Sequence, residues 1–490
     1  MKSEKIDIAG LLDLDPSIRK QLWECVFEAI ESYTIGIGRH RVTPEAESTK
    51  IRELISTIDF KQPDHPLVAF EFMIQCLWRF QTHAPHPRYF GLFNPAPTTM
   101  SIAADAVVAA FNPQLAAWSH SPYAVEVEQH LIRHLAGKFG YDSEFADGTF
   151  TSGGSEANQT AILTALTHAF PDCASKGLRG LRRQPVMYVS VESHHSFIRA
   201  ARACGLGTEA VRQIPVDDQL QMNTNVLAAR IARDYASDCR PFLITATAGT
   251  TNAGVIDPLL KIAKIAEEKK VWFHVDAAWG GAVALLPESR DLLAGIERSD
   301  SITFDAHKWL SVPMGAGLYL TRHRDILSRT FQIEADYLKP DRDKLQFVDP
   351  FTHSMQCSRR FIGLKLFLSL AVAGWNGYAE AIRHQMAMGD LLRRELLKAE
   401  WDVVNHTKLP LVCFRDCQHP EGKSRAFIEA IARGVVSSGE AWISSTLLNH
   451  EIPVLRACIT NYRTRPEDIQ RLIQALEKQR QDQLDFQRKK

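Results

Sequence analysis

Between about residues 145 and 320 the sequence alternates short apolar runs with amphipathic helical ones, and this alternation limits the possible folds more than any other feature. "PVMYVSVES" (185–193), "PFLITATAG" (241–249), "VWFHVDAA" (271–278) and "SITFDA" (301–306) have the β-branched and aromatic content of strands. Between some of them lie patterns such as "PLLKIAKIAEEKK", apolar at helical spacing. The alternation predicts an α/β fold, a mostly parallel sheet covered by helices on both faces. Such sheets bind ligands beyond the carboxyl ends of their strands. The polar residues that stand out here, Asp276, the His194–His195 pair and Lys308, all follow predicted strands.

The flanks read differently. The first ~85 residues carry helical patterns such as "SIRKQLWECVFEAIESY" and "LVAFEFMIQCLWRFQ". Prolines at 85, 87, 95 and 97 break "HAPHPRYFGLFNPAPTT" (83–99) into an irregular loop, whose aromatic residues are expected to pack on something. The last ~115 residues open with a helix at "YAEAIRHQMAMGDLLRRELLKAE", continue as mixed strand and helix, and end in a charged amphipathic tail. The expected division is a helical segment with a pocket loop (1–98), a large ligand-binding domain (99–375) and a small α/β domain (376–490). Zero net charge argues against broad nucleic-acid or anionic-membrane binding. No apolar run reaches the ~18 residues of a membrane span, and the start does not resemble a signal peptide, so a cytoplasmic protein is expected. Nine scattered cysteines suit reduced thiols. Cys413, Cys417 and His419 have ligand-like spacing, but no second cluster completes a site; no metal is expected.

Four features carry chemistry. In "FTSGGSEANQTAILTAL", Gly153 and Gly154 turn the chain into a helix beginning near Ser155, and a helix start presents free N–H groups to a phosphate. A glycine turn with a serine cap explains the same residues, and the lysine of a P-loop is missing. Asp276 ends an apolar strand, where a carboxylate is costly without a partner. It either caps a loop or meets a cation such as a protonated ring nitrogen. A histidine following a strand is ordinarily a hydrogen-bonded structural residue, yet its ring also suits stacking on a flat cofactor. Lys308, in "FDAHKWL", stands between an apolar strand and "WLSVPMGAGLYL"; apolar surroundings lower a lysine's pKa and favour a Schiff base. Pyridoxal 5′-phosphate requires all four: an amine for its aldehyde, a carboxylate for its ring nitrogen, a stacking partner and a phosphate anchor.

With "TSGGSEAN", "HHSF", "ATAGTT", "HVDAAWGG", "DAHKW", "ADYLK" and "RRFIGLKLF" in order, the chain resembles the group II pyridoxal-phosphate-dependent amino-acid decarboxylases, a family that includes aromatic-amino-acid, histidine, glutamate and cysteine-sulfinate decarboxylases. The resemblance implies a fold type I, seven-stranded architecture and a homodimer with shared active sites. It implies that Lys308 holds the cofactor, Asp276 pairs with the pyridinium, and Ala278 and His195 lie against opposite ring faces. Gly154 and Ser155 would bind the phosphate with help from Asp305 or His307, and Thr251 would lie near the ring oxygen. Arg359 would stand at the substrate end. Tyr337 matches a loop tyrosine that protonates Cα; relatives with phenylalanine there tend towards aldehyde synthesis. Phe93, Asn94, Pro95 and Thr98 would line the side-chain pocket, with Gln114, Ala116 and Trp118 reaching across the dimer.

The implied reaction is α-decarboxylation of an L-amino acid to its amine. Trp279 matches the acidic-substrate branch, whereas the pocket segment "LFNPAPT" has no arginine and its aromatic walls suit aromatic substrates. The choice stays open. An aldehyde synthase or an aminotransferase would share the cofactor site. A catalytically silent relative is at odds with the presence of Lys308, Asp276 and His195.

Overall fold

The computed structural model describes residues 12–333, 347–418 and 420–488. Three helices form an N-terminal arm, α1 (Pro16–Gly36), α2 (Ser48–Ser56) and α3 (Pro66–Phe80), followed by α4 (Thr99–Phe111) and α5 (Pro122–Lys138). The alternating region runs β1 (Asp147–Thr151), α6 (Gly154–Ala169), β2 (Gln184–Ser190), α7 (Ser196–Ala203), β3 (Val211–Ile214), α8 (Thr224–Ala236), β4 (Cys239–Thr247), α9 (Leu259–Lys269), β5 (Trp272–Asp276), β6 (Ser301–Asp305) and β7 (Gly317–Thr321). A long helix, α10 (Leu364–Lys398), leads into β8 (Trp401–Val403), β9 (Leu411–Asp416), α11 (Arg425–Ser438), β10 (Ser444–Leu448), β11 (Ile452–Cys458) and α12 (Pro466–Arg488). No helix among the described residues is long and apolar enough to cross a membrane.

The large sheet has seven strands in the order β1-β7-β6-β5-β4-β2-β3. The pairings from β3 to β6 are parallel, and β7 runs against both of its neighbours. β5 shows how sequence selects this arrangement. Its pleat sends Phe273 and Val275 into the main apolar core and Trp272, His274 and Asp276 to the opposite face. α6 lies over that second face. Its small residues Ala157, Ala161 and Ala165 are fully buried and permit close approach.

The four-stranded sheet, in the order β10-β11-β9-β8, has its own core of Trp401, Phe414, Val435 and Leu472. The proline-rich loop packs on it as its aromatic content predicts. Phe90 enters this second core, its N–H donates to Trp442 O at 2.8 Å, and its carbonyl accepts from Cys458 N at 2.9 Å. Asn461 Nδ2 and Thr464 Oγ1 bind the carbonyls of Pro85 and Pro87 at 2.9 and 2.7 Å. The first ninety residues are thereby tied to the last thirty. α10 is interrupted at Gly374, whose φ of 62° is open to glycine at little cost.

Cys413 is buried and Cys417 exposed; each thiol donates to a backbone carbonyl, of Asn252 and Glu400 respectively. His419 lies outside the described residues.

Candidate active site

The carboxyl ends of β5 and β6 converge with the start of α6. Asp276 is buried; its Oδ2 accepts from Asn158 Nδ2 at 2.8 Å and its Oδ1 from the Ala278 N–H at 3.1 Å. The Ala278 carbonyl in turn accepts from the Asp305 N–H at 2.9 Å, which joins the two strand ends. Lys308, in the short helix Ala306–Trp309, places Nζ 3.0 Å from Asp305 Oδ2. The surroundings of Lys308 are therefore not apolar alone. A buried carboxylate stands beside its amine, because β6 turns directly into that helix and sets residues 305 and 308 one turn apart.

The glycine turn fits closely against this pair. A Cβ on Gly154 would lie 2.8 Å from Asp305 Oδ2 and 3.4 Å from Ala278 Cβ, so any side chain there displaces the carboxylate. His307 is buried and its Nδ1 accepts from the Ala316 N–H at 3.2 Å, which leaves the proton of the neutral ring on Nε2, 3.9 Å from Asp305 Oδ2. Burial lowers the His307 pKa, against the pull of Asp305. Ser155 is exposed at the helix start.

His195 forms the N-cap of α7, and His194 Nδ1 accepts from the Ser196 N–H at 3.2 Å. Desolvation lowers the His194 pKa; Asp276 opposes that shift and Lys308 reinforces it, so His194 as well as His195 belongs to this neighbourhood. A cavity of about 330 Å³ opens beside them, lined in part by Glu192, Thr251 and Asn252.

Above Lys308 stands an aromatic wall. Phe93 stacks on Trp279 at 4.6 Å between centroids, and Trp279 packs on Trp309 at 5.4 Å. Lys308 Nζ and Arg456 Cζ lie 5.7 and 5.0 Å from the Phe93 centroid. Arg456 is buried. Its Nε and Nη1 donate to the carbonyls of Thr251 and Gly91, both at 2.9 Å, while Nη2 has no partner among the described residues. The sequence pocket contained no arginine; the fold supplies one from β11.

Other expected site residues are engaged elsewhere within this chain. Thr98 caps α4 through Ser101 and shares a 2.7 Å hydrogen bond with Ser369. Asn94 donates to Met314 Sδ, and Pro95 is buried in the same loop. Arg359 is buried in an ion pair with Glu128 at 2.7 Å. Gln114 donates to Ser358 at 3.1 Å, Ala116 O accepts from Phe351 N at 2.9 Å, and Trp118 stacks on Phe347 at 4.0 Å. Tyr337 lies outside the described residues. Sequence reasoning quoted Asn158 in "TSGGSEAN" without giving it a role. Its signal was a polar residue four positions after Gly154 on an otherwise apolar helix face.

The fold and this geometry agree with known proteins. Residues 52–416 match the model of the pyridoxal-dependent decarboxylase conserved domain. The chain is 30% identical to an aromatic-L-amino-acid decarboxylase of Bacillus atrophaeus over 468 residues, covering 94% of this chain and 95% of that one. It is 31% identical to the cysteine sulfinic acid decarboxylase of Mus musculus over 410 residues, 82% of each. The crystal structure of mouse CSAD in apo form superposes with a TM-score of 0.88 at 27% identity, covering 95% of this chain and 99% of that one. The chain belongs to the pyridoxal-dependent decarboxylase family. It has the fold type I architecture, and it is a pyridoxal-phosphate-dependent amino-acid decarboxylase.

The site also sets a pH dependence. His274, fully buried behind Asp276, has its pKa pushed down by burial from 6.5 to about 4. In that window the unfolded chain binds a proton there that the folded chain refuses, so stability falls as pH drops through it and is unaffected above it. Thermal unfolding followed from about pH 7 to about pH 5 is expected to show a falling midpoint, with a shallower fall in His274→Gln. Parallel slopes for the two proteins would remove His274 as the cause.

Proposed function

We propose that the protein decarboxylates a short acidic L-amino acid at Cα, with Lys308, Asp276 and Arg456 as the groups that define the reaction. The observation that carries this reading is the meeting of the Lys308 amine and the Arg456 guanidinium, whose Nη2 has no partner among the described residues, at the ring of Phe93, with the buried carboxylate of Asp276 and Lys308 both acting on His194. When bound, pyridoxal phosphate supplies an electron-accepting ring for the electron pair left at Cα as carbon dioxide departs. Asp276 holds a proton on the ring nitrogen. Lys308 would hold the cofactor through its amine and would be the group the substrate amine displaces. Ala278 and His195 would flank the ring, and Thr251 would stand near its oxygen.

Gly154, Ser155 and the Nε2–H of His307 would hold the phosphate. Asp305 is read as the anion that orients Lys308 and not as a phosphate ligand, since a carboxylate beside a phosphate repels it. Tyr337 delivers the proton to Cα, a role that rests on its place in "ADYLK" alone.

Phe93, held against Trp279, takes up space that a large side chain would need, and Arg456 provides a cation for a second carboxylate. The likeness to a cysteine sulfinic acid decarboxylase points the same way. An aromatic substrate is the second reading, favoured by the walls of Phe93, Trp279 and Trp309 and by the relative that acts on aromatic amino acids.

The homodimer is supported by apolar side chains left in solvent on the N-terminal arm, among them Trp23, Phe27, Phe60 and Met73. Trp118, with Gln114 and Ala116, would serve the site of the second copy. The division at 98 and 375 is supported by the separate core of the second sheet and by the helix break at Gly374; Phe90 makes the first segment an arm rather than a free body. The placement in the cytoplasm rests on composition alone.

Purified protein with added cofactor is expected to absorb near roughly 420 nm, the band vanishing in Lys308→Ala. Carbon dioxide release should be fastest with L-aspartate, L-cysteine sulfinate or L-glutamate; faster release from tyrosine, phenylalanine or tryptophan would establish the second reading instead. Arg456→Leu should lower kcat/KM for the acidic substrate by about 100-fold, chiefly through KM, as loss of a charged hydrogen bond implies. In Tyr337→Phe the product should shift from amine towards aldehyde, with dioxygen consumed; unchanged amine yield would end the role given to Tyr337.

A further inference from the structure

We infer that Asn158 is a positioning residue for Asp276, locked in one orientation by a one-way chain of hydrogen bonds that starts at Trp272. The inference rests on the reading of Asp276 as partner of the cofactor's ring nitrogen and deepens it. Its parts come from the pleat. Trp272, His274 and Asp276 alternate along β5 and share a face, and Ser301 and Thr303 stand opposite His274 and Asp276 on β6. α6 crosses above and lowers Asn158 among them, and all six side chains are buried.

The direction of the chain follows from which groups can donate. An indole N–H donates and never accepts, so Trp272 Nε1 gives its proton to Ser301 Oγ at 2.9 Å. Ser301 Oγ and His274 Nδ1 share a hydrogen bond at 2.8 Å, in which we read the hydroxyl as donor. The ring is neutral, because burial drives its pKa down to about 4. Its single proton therefore sits on Nε2, facing Asn158 Oδ1 at 3.3 Å and Thr303 Oγ1 at 3.2 Å. Thr303 Oγ1 donates to the same amide oxygen at 2.7 Å. With its oxygen filled from two sides, Asn158 turns its NH2 group to Asp276 Oδ2 at 2.8 Å and to Ser196 Oγ at 2.9 Å. The far end is a carboxylate, which accepts only. Polarity is fixed at both ends, and successive bonds of one sense strengthen one another.

A flipped amide would set an oxygen against the carboxylate and an NH2 group against two donors. The chain removes that alternative, so the Asp276 carboxylate is aimed before any ligand arrives. Buried polar groups must find partners in any protein, and a purely structural network would satisfy them as well. The two accounts differ in what the ring nitrogen should feel.

The test uses the full chain with two substitutions, Asn158→Leu and Trp272→Phe, and two ligands. Dissociation constants are measured by equilibrium dialysis for pyridoxal 5′-phosphate and for its 1-deaza analogue, which has carbon in place of the ring nitrogen. Asn158→Leu is expected to weaken pyridoxal phosphate by about tenfold or more and the analogue by less than about twofold, as loss of an orienting partner implies. Trp272→Phe, which touches neither Asp276 nor Asn158, should show the same selectivity at smaller size. Equal weakening of both ligands, or no weakening, overturns the inference, and the Lys308-dependent absorption band then shows the cofactor assignment still standing. Should Asn158→Leu fail to fold, the Trp272→Phe pair decides alone. A parent chain without that band overturns both readings.

Discussion

A carboxylate buried at the end of a strand must be met by donors or give up its charge, and the architecture around Asp276 answers to that requirement. Its two oxygens are met by an amide from α6 and by the backbone of Ala278. The first contact requires α6 to lie low on the sheet, which the alanines at 157, 161 and 165 allow. A helix so placed starts at Gly154, against Asp305 and Ala278, where a side chain would not fit. The position of the glycine turn, the ion pair between Asp305 and Lys308 and the face of β5 given over to polar residues are linked consequences of one buried charge.

The remainder of the site comes from parts of the chain far from that sheet. Phe93 belongs to the loop after the N-terminal arm and Arg456 to β11 of the small sheet, yet the Phe93 ring centroid lies 5.7 Å from Lys308 Nζ and 5.0 Å from Arg456 Cζ. The loop reaches Lys308 because Phe90 is anchored in the second core and Asn461 and Thr464 hold its carbonyls. Arg456 is positioned by two carbonyls, those of Thr251 and Gly91, and its Nη2 has no partner among the described residues. The small sheet thus serves the chemistry directly, in addition to covering the large one.

Much of this was legible from residues alone. The strands that end at Asp276 and Asp305 fall within the apolar runs that announce them, because a strand buried on both faces is predominantly apolar. β7 was hidden within "WLSVPMGAGLYL", where two glycines and a proline blur strand and loop, and its antiparallel direction follows from pairing. The hydroxyl of Thr98 and the guanidinium of Arg359 have local or buried partners, Ser101 and Glu128, that spacing along the chain does not reveal.

The sequence by itself determined the alternating architecture, the cofactor's chemical demands and the residue types that meet them, since periodicity and functional groups are local properties. Only the tertiary structure decided that Arg456 faces Phe93, that Asp305 accompanies Lys308, and that Trp272, Ser301, His274 and Asn158 are joined by hydrogen bonds leading to Asp276. Those facts depend on strand register and on how closely a helix approaches a sheet. Both are set by packing among residues far apart in the chain, and a hydrogen bond exists only where packing brings donor and acceptor within about 3 Å.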